Sequence, residues 1–179
     1  ATINDPTSTI VTINPTSDLP SGAVIYVNIG QVEAISDDAD INPNPTEFTF
    51  TVTDYAAPVP TFNPANGAVG VSLTGNLTIT FDEAVRKIDD SPIVPADLLT
   101  LVELKLTNDA GAAVLFTASI GGGNTVITVD PTASLTPSTV YYLEINPIED
   151  ANNNAITATN ITFTTSDNTP PVITFNPVN

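Results

Sequence analysis

Two loops in this sequence carry side-chain oxygens at the spacing a hard cation needs. Asp38, Asp40 and Asn42 alternate through Asp38-Ala39-Asp40-Ile41-Asn42, and Asp150, Asn152 and Asn154 alternate through Asp150-Ala151-Asn152-Asn153-Asn154. Oxygens at loop positions one, three and five can converge on a single calcium ion. The composition adds to this reading: 20 acidic residues face 3 basic ones, for a net charge of −17. Carboxylates with so few cationic partners favour a divalent ion, although the same acidity also serves solubility. An EF-hand is excluded, because it needs Gly at loop position six and Glu at position twelve. Those positions hold Pro43 and Thr49 in the first loop, and Ala155 and Ile161 in the second. The competing reading is an Asx-rich turn, in which Asp and Asn accept hydrogen bonds from their own backbone.

Other chemistry is bounded by what the chain lacks. Cys, His, Trp and Met are all absent. Without them this segment offers no Ser-His-Asp triad, no Cys nucleophile, no thiolate or imidazole zinc site and no disulfide. Asp82-Glu83 and Asp89-Asp90 are carboxylate pairs, but adjacent residues of a strand point to opposite faces and do not flank one glycosidic bond. The chain is therefore read as non-enzymatic. Lys87 and Lys105 are the only lysines. Lys105 sits in an apolar run that would suit a Lys–Asn crosslink, yet a solvent-facing lysine beside Glu103 is the favoured reading. The acidic balance excludes basic nucleic-acid grooves and polybasic membrane patches. No apolar run approaches the ~20 residues of a membrane-spanning helix.

The elements that must position these residues are strands. Leu77-Thr78-Ile79-Thr80-Phe81, Phe48-Thr49-Phe50-Thr51-Val52 and Ile161-Thr162-Phe163-Thr164 alternate apolar residues with Thr, the period of a half-buried strand. Sixteen prolines and nine glycines disfavour long helices; only 95–99 reads as a helical turn. Strands are expected near 58–63, 69–72, 76–81, 101–107, 112–120, 124–129, 139–146 and 159–165, an antiparallel β-sandwich pattern. Its expected core holds Leu77, Ile79, Phe81, Val129, Leu143, Ile145, Ile161 and Phe163. Gly121-Gly122-Gly123-Asn124 reads as a hairpin turn, and 82–100 as the longest irregular stretch. A Tyr following the Pro137 turn could return its hydroxyl to the turn backbone, the tyrosine corner of Greek-key sandwiches. Tyr142 is the candidate, with Tyr26 as its counterpart earlier in the chain.

The sequence also repeats. Residues 9–29 match 125–145 without a gap, and 47–67 match 160–179. Phe62-Asn63-Pro64 recurs as Phe175-Asn176-Pro177, a period of 113 residues. A period of domain size implies serial modules. Residues 1–54 are read as the later half of one repeat, 55–169 as a complete repeat, and 170–179 as the first strand of the next. The expectation is a piece of a longer, processed chain. The linkers at 54–58 and 167–171 are short and Pro-bearing, which favours a semi-rigid connection.

Several segments together resemble the bacterial Ig-like domains of the S-layer type. They are Pro60 through Gly67, Ile79 through Val85, the Leu135 to Tyr142 segment, the Asp150 to Asn154 loop and the closing Phe163-Thr164-Thr165. Asn153 stands where the family pattern has Gly. The resemblance implies an all-β fold of tandem Ig-like antiparallel β-sandwich repeats with Greek-key connections. It also implies a structural module of an extracellular bacterial protein: a stalk, fibre, S-layer or adhesin spacer at the cell surface or secreted. Its partners would be neighbouring Ig-like repeats in the same or adjacent subunits; calcium, as the expected ion, rests on the charge and the loop spacing and not on the resemblance. Any polysaccharide or cell-surface ligand would be met through other domains. The alternative is an accessory carbohydrate-binding or spacer module of a secreted polysaccharide-active enzyme.

Overall fold

A computed structural model of the chain describes residues 2–3, 11–30 and 46–174. The chain divides into two compact units, Ala1–Ala56 and Ala57–Asn179.

In the first unit β1 (Thr2–Ile3) pairs antiparallel with β2 (Val11–Thr12), and β3 (Val24–Ile29) with β4 (Thr46–Thr51). Ile25 lies opposite Phe50, and Val27 opposite Phe48. Phe48 and Phe50 remain 48% and 41% exposed. Their counterparts one period later, Ile161 and Phe163, are only 6% and 1% exposed. The same residue pattern is thus dry where a second sheet faces it. Among the described residues, the first unit has only its two hairpins to cover it.

The second unit is that two-sheet arrangement. Its elements are β5 (Pro60–Asn63), β6 (Ala68–Val71), β7 (Leu77–Phe81), α1 (Leu98–Leu101), β8 (Val102–Leu106), β9 (Phe116–Gly121), β10 (Val126–Pro131), β11 (Val140–Ile145) and β12 (Thr159–Thr165). One sheet has the order β5-β7-β10-β9 and the other β6-β12-β11-β8. All neighbours are antiparallel except β6, which lies parallel to β12. The chain therefore switches sheets repeatedly, as the expected Greek-key sandwich requires. All eight core residues expected from the period-two pattern are buried. Alternation picks out the face, because a strand sends every second side chain to one side, and the facing sheet covers it.

Three further features were not visible in that pattern. First, the irregular stretch between β7 and β8 is anchored by Val85, Ile93 and Leu98, each at most 5% exposed. Second, β9 starts later than expected because Ala112–Val114 instead lines the edge of β8. Leu106 N–H donates to the Ala112 carbonyl (3.0 Å), and Val114 N–H donates to that of Leu104 (2.8 Å). Gly111, which leads into this segment, admits no side chain: a Cβ there would lie 1.6 Å from the Leu106 carbonyl oxygen. Third, the helical turn begins at Leu98 and not near Pro95. Asp97 Oδ2 accepts the Val94 N–H at 2.9 Å, and the Asp97 carbonyl accepts those of Thr100 and Leu101. The turn before the helix is thereby closed first.

The hairpin turn forms where expected. Gly122, Gly123 and Asn124 all take positive φ, at 63°, 72° and 68°, a conformation that costs glycine nothing and Asn little. The carbonyls of this turn also hold the end of β7: Thr125 accepts from Phe81 N–H at 2.8 Å and Asn124 from Val85 N–H at 3.0 Å.

The tyrosine corner is present but belongs to Tyr141, not Tyr142. The Tyr141 hydroxyl accepts the Thr136 N–H at 2.8 Å, and its ring stacks on Phe163 with centroids 5.6 Å apart. Tyr142 points to the outer face and donates its hydroxyl to Glu144. The reason is parity: Tyr141 shares its face with Leu143 and Ile145, so only its ring lies over the core. At the equivalent site of the first unit stands Ile25, which has no hydroxyl, while Tyr26 is 57% exposed.

Phe81→Ala is expected to cost about 3–5 kcal/mol in denaturant melts, as for other buried aromatic truncations. A loss under about 1 kcal/mol would show the strand facing the other way. Tyr141→Phe strands the Thr136 N–H and is expected to cost about 1–3 kcal/mol. Tyr142→Phe keeps the buried ring and removes only a hydroxyl bonded to Glu144, a carboxylate that water still reaches, and is expected to cost less than about 1 kcal/mol. Equal losses in the two variants would remove the corner assignment.

Candidate functional site

The Asp150 loop closes a short ladder. Glu149 bridges to Arg86 on one side and to Ala155 on the other. Arg86 and Glu149 exchange backbone hydrogen bonds at 2.7 and 3.0 Å. Ile148, fully buried, receives the Ile156 N–H on its carbonyl at 2.9 Å. The loop therefore grows from the core, and its conformation is fixed at both ends.

Asp150 is itself only 1% exposed. Its Oδ1 accepts the N–H groups of Asn152 and Asn154, each at 2.8 Å. Its Oδ2 accepts the Asn154 side-chain amide at 2.8 Å. Asp150 and Asn154 are thus brought together through their side chains, while Asn152 contributes its backbone N–H. This is the Asx-turn arrangement, formed by the residues that carry the cation-like spacing. A carboxylate offers about four lone-pair sites; these bonds fill two on Oδ1 and one on Oδ2. Asn153 takes φ 67°, so Asn supplies the left-handed residue where the resembling pattern has Gly. The other candidate ligands, Asp38, Asp40 and Asn42, lie outside the described residues.

The electrostatics of the loop run through Arg86. Its Nε reaches Glu149 Oε1 at 3.2 Å, and its other guanidinium contacts are to Asp90 and the Asn153 side-chain oxygen. Glu149 is 4% exposed, so this ion pair is shielded on one side. A carboxylate oxygen of Glu83 also lies within 4.8 Å of one of Asp150. One arginine thus faces several acids. Burial pushes the Asp150 carboxyl upward, but the Asn154 and Asn152 donors and the Arg86 charge outweigh it and hold it below the usual value.

The remaining candidates have structural roles. Asp82 Oδ1 accepts the Val59 N–H at 2.7 Å; Asp89 caps Ser91 and is lowered by that residue's hydroxyl and N–H. Lys87 pairs with Asp97 at 3.4 Å. Lys105 pairs with Asp109 at 2.7 Å and with Glu103, and its ammonium is pushed up to about 12 by those two hydrogen bonds. Both lysines are thus ion-paired, and Lys105 takes the solvent side beside Glu103. Asp54 and Asp167, one period apart, each close a turn before a linker proline. Asp54 Oδ1 accepts the Ala56 N–H at 3.0 Å and Asp167 Oδ1 accepts that of Thr169 at 2.8 Å.

Two sheets around one core, antiparallel except for the β6–β12 pair, with a Tyr corner, define a Greek-key β-sandwich of immunoglobulin type. Residues 54–165 match the bacterial Ig-like domain family, more than half of the chain, and the chain belongs to that family. Solved structures with similar folds include the methionine-rich copper resistance protein PcoC of Escherichia coli. That match has 15% identity and a TM-score of 0.46, covering 62% of this chain and 100% of that one. CopC of Methylosinus trichosporium OB3b matches at 13% identity and a TM-score of 0.43, covering 65% and 100%. The N-terminal part of the bacterial S-layer protein SbsC matches at 16% identity and a TM-score of 0.44, covering 68% of this chain and 26% of that one. No curated protein matches the sequence. No helix among the described residues is long and apolar enough to cross a membrane.

The Asp150 shift has a sign that can be tested. A carboxyl whose folded value lies below its unfolded one stabilises fully above the unfolded value and loses that contribution as pH falls through the folded one. The wild-type chain is expected to lose stability as pH drops below about 3.8, the ordinary value of this group. Asp150→Ala leaves two backbone N–H groups without their acceptor and is expected to cost about 1–3 kcal/mol at neutral pH. The gap to wild type should narrow below pH 3.8 in paired urea melts. A gap that stays constant with pH would show that the charge on Asp150 contributes nothing.

Proposed function

We propose that this chain is a load-bearing spacer module of an extracellular bacterial surface protein, built from serial copies of one non-catalytic Ig-like unit. One observation carries the reading. β6, near the start of the module, lies parallel to β12 at its end. Tension on the two ends pulls such strands past each other, so the bonds between them resist in shear together. In an antiparallel hairpin the same load would open them one by one. Gly67 N–H donates to Thr162 O at 2.7 Å, and Ser166 N–H to Val71 O at 2.9 Å; Asn66 Oδ1 accepts the Thr162 N–H at 3.0 Å. The 113-residue repeat and the matching Asp turns before each linker support the same reading.

Calcium belongs to this proposal as a stiffening ion, held by the Asx loops at Asp38, Asp40 and Asn42 and at Asp150, Asn152 and Asn154. The support is the net charge of −17 and the Asp-x-Asx-x-Asn spacing that occurs twice in the chain.

The force reading is tested by pulling the chain from its ends. One extension step on the order of 400 Å is expected from the complete module, from the length of an extended chain. Asn66→Ala is expected to lower the unfolding force while leaving the melting temperature nearly unchanged. A force unaffected by this variant, or saturable retention of the chain on insoluble polysaccharide, would overturn the spacer reading. For calcium, melting is compared in EDTA, Ca²⁺ and Mg²⁺ at matched ionic strength. A Ca²⁺-specific rise that Asp150→Ala reduces is expected. If Mg²⁺ works equally well, simple screening accounts for the effect.

A further inference from the structure

The acidic residues of the second unit are not spread evenly over its two outer faces. The outer face of the β6-β12-β11-β8 sheet carries Glu103, Lys105 and Glu144, with Glu144 directly opposite Glu103. The outer face of the β5-β7-β10-β9 sheet is different. Its register lines up Asn63, Thr78, Thr128 and Ser119 in one row across four strands. The next row is Thr61, Thr80, Val126 and Gly121. These positions alternate with the buried Phe62, Leu77, Ile79 and Ile127, so they face outward. The only charge on the strands of that face is Asp130, at the end of β10. In a chain of net charge −17, this is a four-stranded surface of hydroxyl, amide and methyl groups.

We propose that this neutral face is where a second copy of the chain docks, sheet against sheet; the proposal rests on the reading of the chain as an array module and names the partner in it. Charge decides the occupant. Two copies meeting on the Glu103 and Glu144 face bring acid against acid, which interfaces do not tolerate when the charges are desolvated. On the strands of this face Asp130 is the one charge, so identical molecules can approach here with little of that cost, and Thr side chains offer both methyl contact and reciprocal hydroxyl bonds. In the partial repeats Thr12 stands at the position of Thr128 and Thr174 at that of Thr61, and both are exposed and uncharged. Strand spacing and rise give the face roughly 300 Å² per copy, against the roughly 800 Å² per partner of a stable complex. One module therefore binds weakly, and serial modules multiply the contact by avidity.

The test is self-association of the 179-residue chain, followed by backbone amide NMR from micromolar to millimolar protein at low and high NaCl. Concentration-dependent shifts are expected at 61–63, 78–80, 117–119 and 126–128, and they should grow with salt as acidic repulsion is screened. The Thr78→Glu/Thr128→Glu variant is expected to weaken association at least about tenfold, because it sets like charges against each other at the contact. Thr162→Glu, on the other sheet, should leave it unchanged. If the paired variant loses its cooperative melt, Thr80→Asp carries the same comparison. The proposal fails if no shifts occur at millimolar protein in high salt, if they map to the other sheet, or if they survive the face variants. Unfolding force is a property of the single chain, so failure here leaves the spacer reading standing, and failure there leaves this one testable.

Discussion

Everything in the complete module depends on two sheets closing over one apolar layer. There is no disulfide and no metal-ligating His or Cys to hold the chain, and its single described helix is four residues long. Leu77, Ile79 and Phe81 from one sheet, with Leu143, Ile145, Ile161 and Phe163 from the other, are each at most 6% exposed. A one-residue slip in any of these strands would turn its apolar set to water. The first unit shows the same constraint from the opposite side. Phe48 and Phe50 have the alternation of the core, but their exposure shows that alternation alone does not bury a residue.

Polar interactions then fix what the core leaves undetermined, namely the paths of the loops. Arg86 ties the stretch after β7 to the Asp150 loop, and Asp150 spends its carboxylate on the loop's own N–H groups. Tyr141 does the same for the turn before β11. In each case a side chain rooted at the rim of the core satisfies backbone donors that would otherwise be lost from water. In the second unit the acidic residues lie mainly on loops, strand ends and one outer face, and the strands of the other outer face carry only Asp130.

The topology gives the module a direction. β6 follows β5 near the start of the module and runs parallel to β12 near its end, so these two strands can separate along their length only by sliding. This comes from strand order and not from composition, and a sandwich with the same residues and an antiparallel terminal pair would lack it.

The sequence by itself determined the strands, the eight core positions tested, the hairpin at Gly121–Asn124 and the repeat. Each of these is written in local spacing, which fixes the face a side chain takes. The two readings of the Asp150 spacing could not be separated there, because turn capping and cation binding use the same oxygens. The choice between Tyr141 and Tyr142 was legible in principle, since Tyr141 shares parity with Leu143, but the turn motif alone does not count residues from the core. Only the tertiary structure decided that Val85, Ile93 and Leu98 join the core from an aperiodic stretch, and that Gly111 sits where no side chain fits. It alone also set β6 beside β12 and gathered the threonines of four strands into one neutral face. These depend on contacts between residues far apart in sequence, and no local period encodes which distant strand a segment will meet.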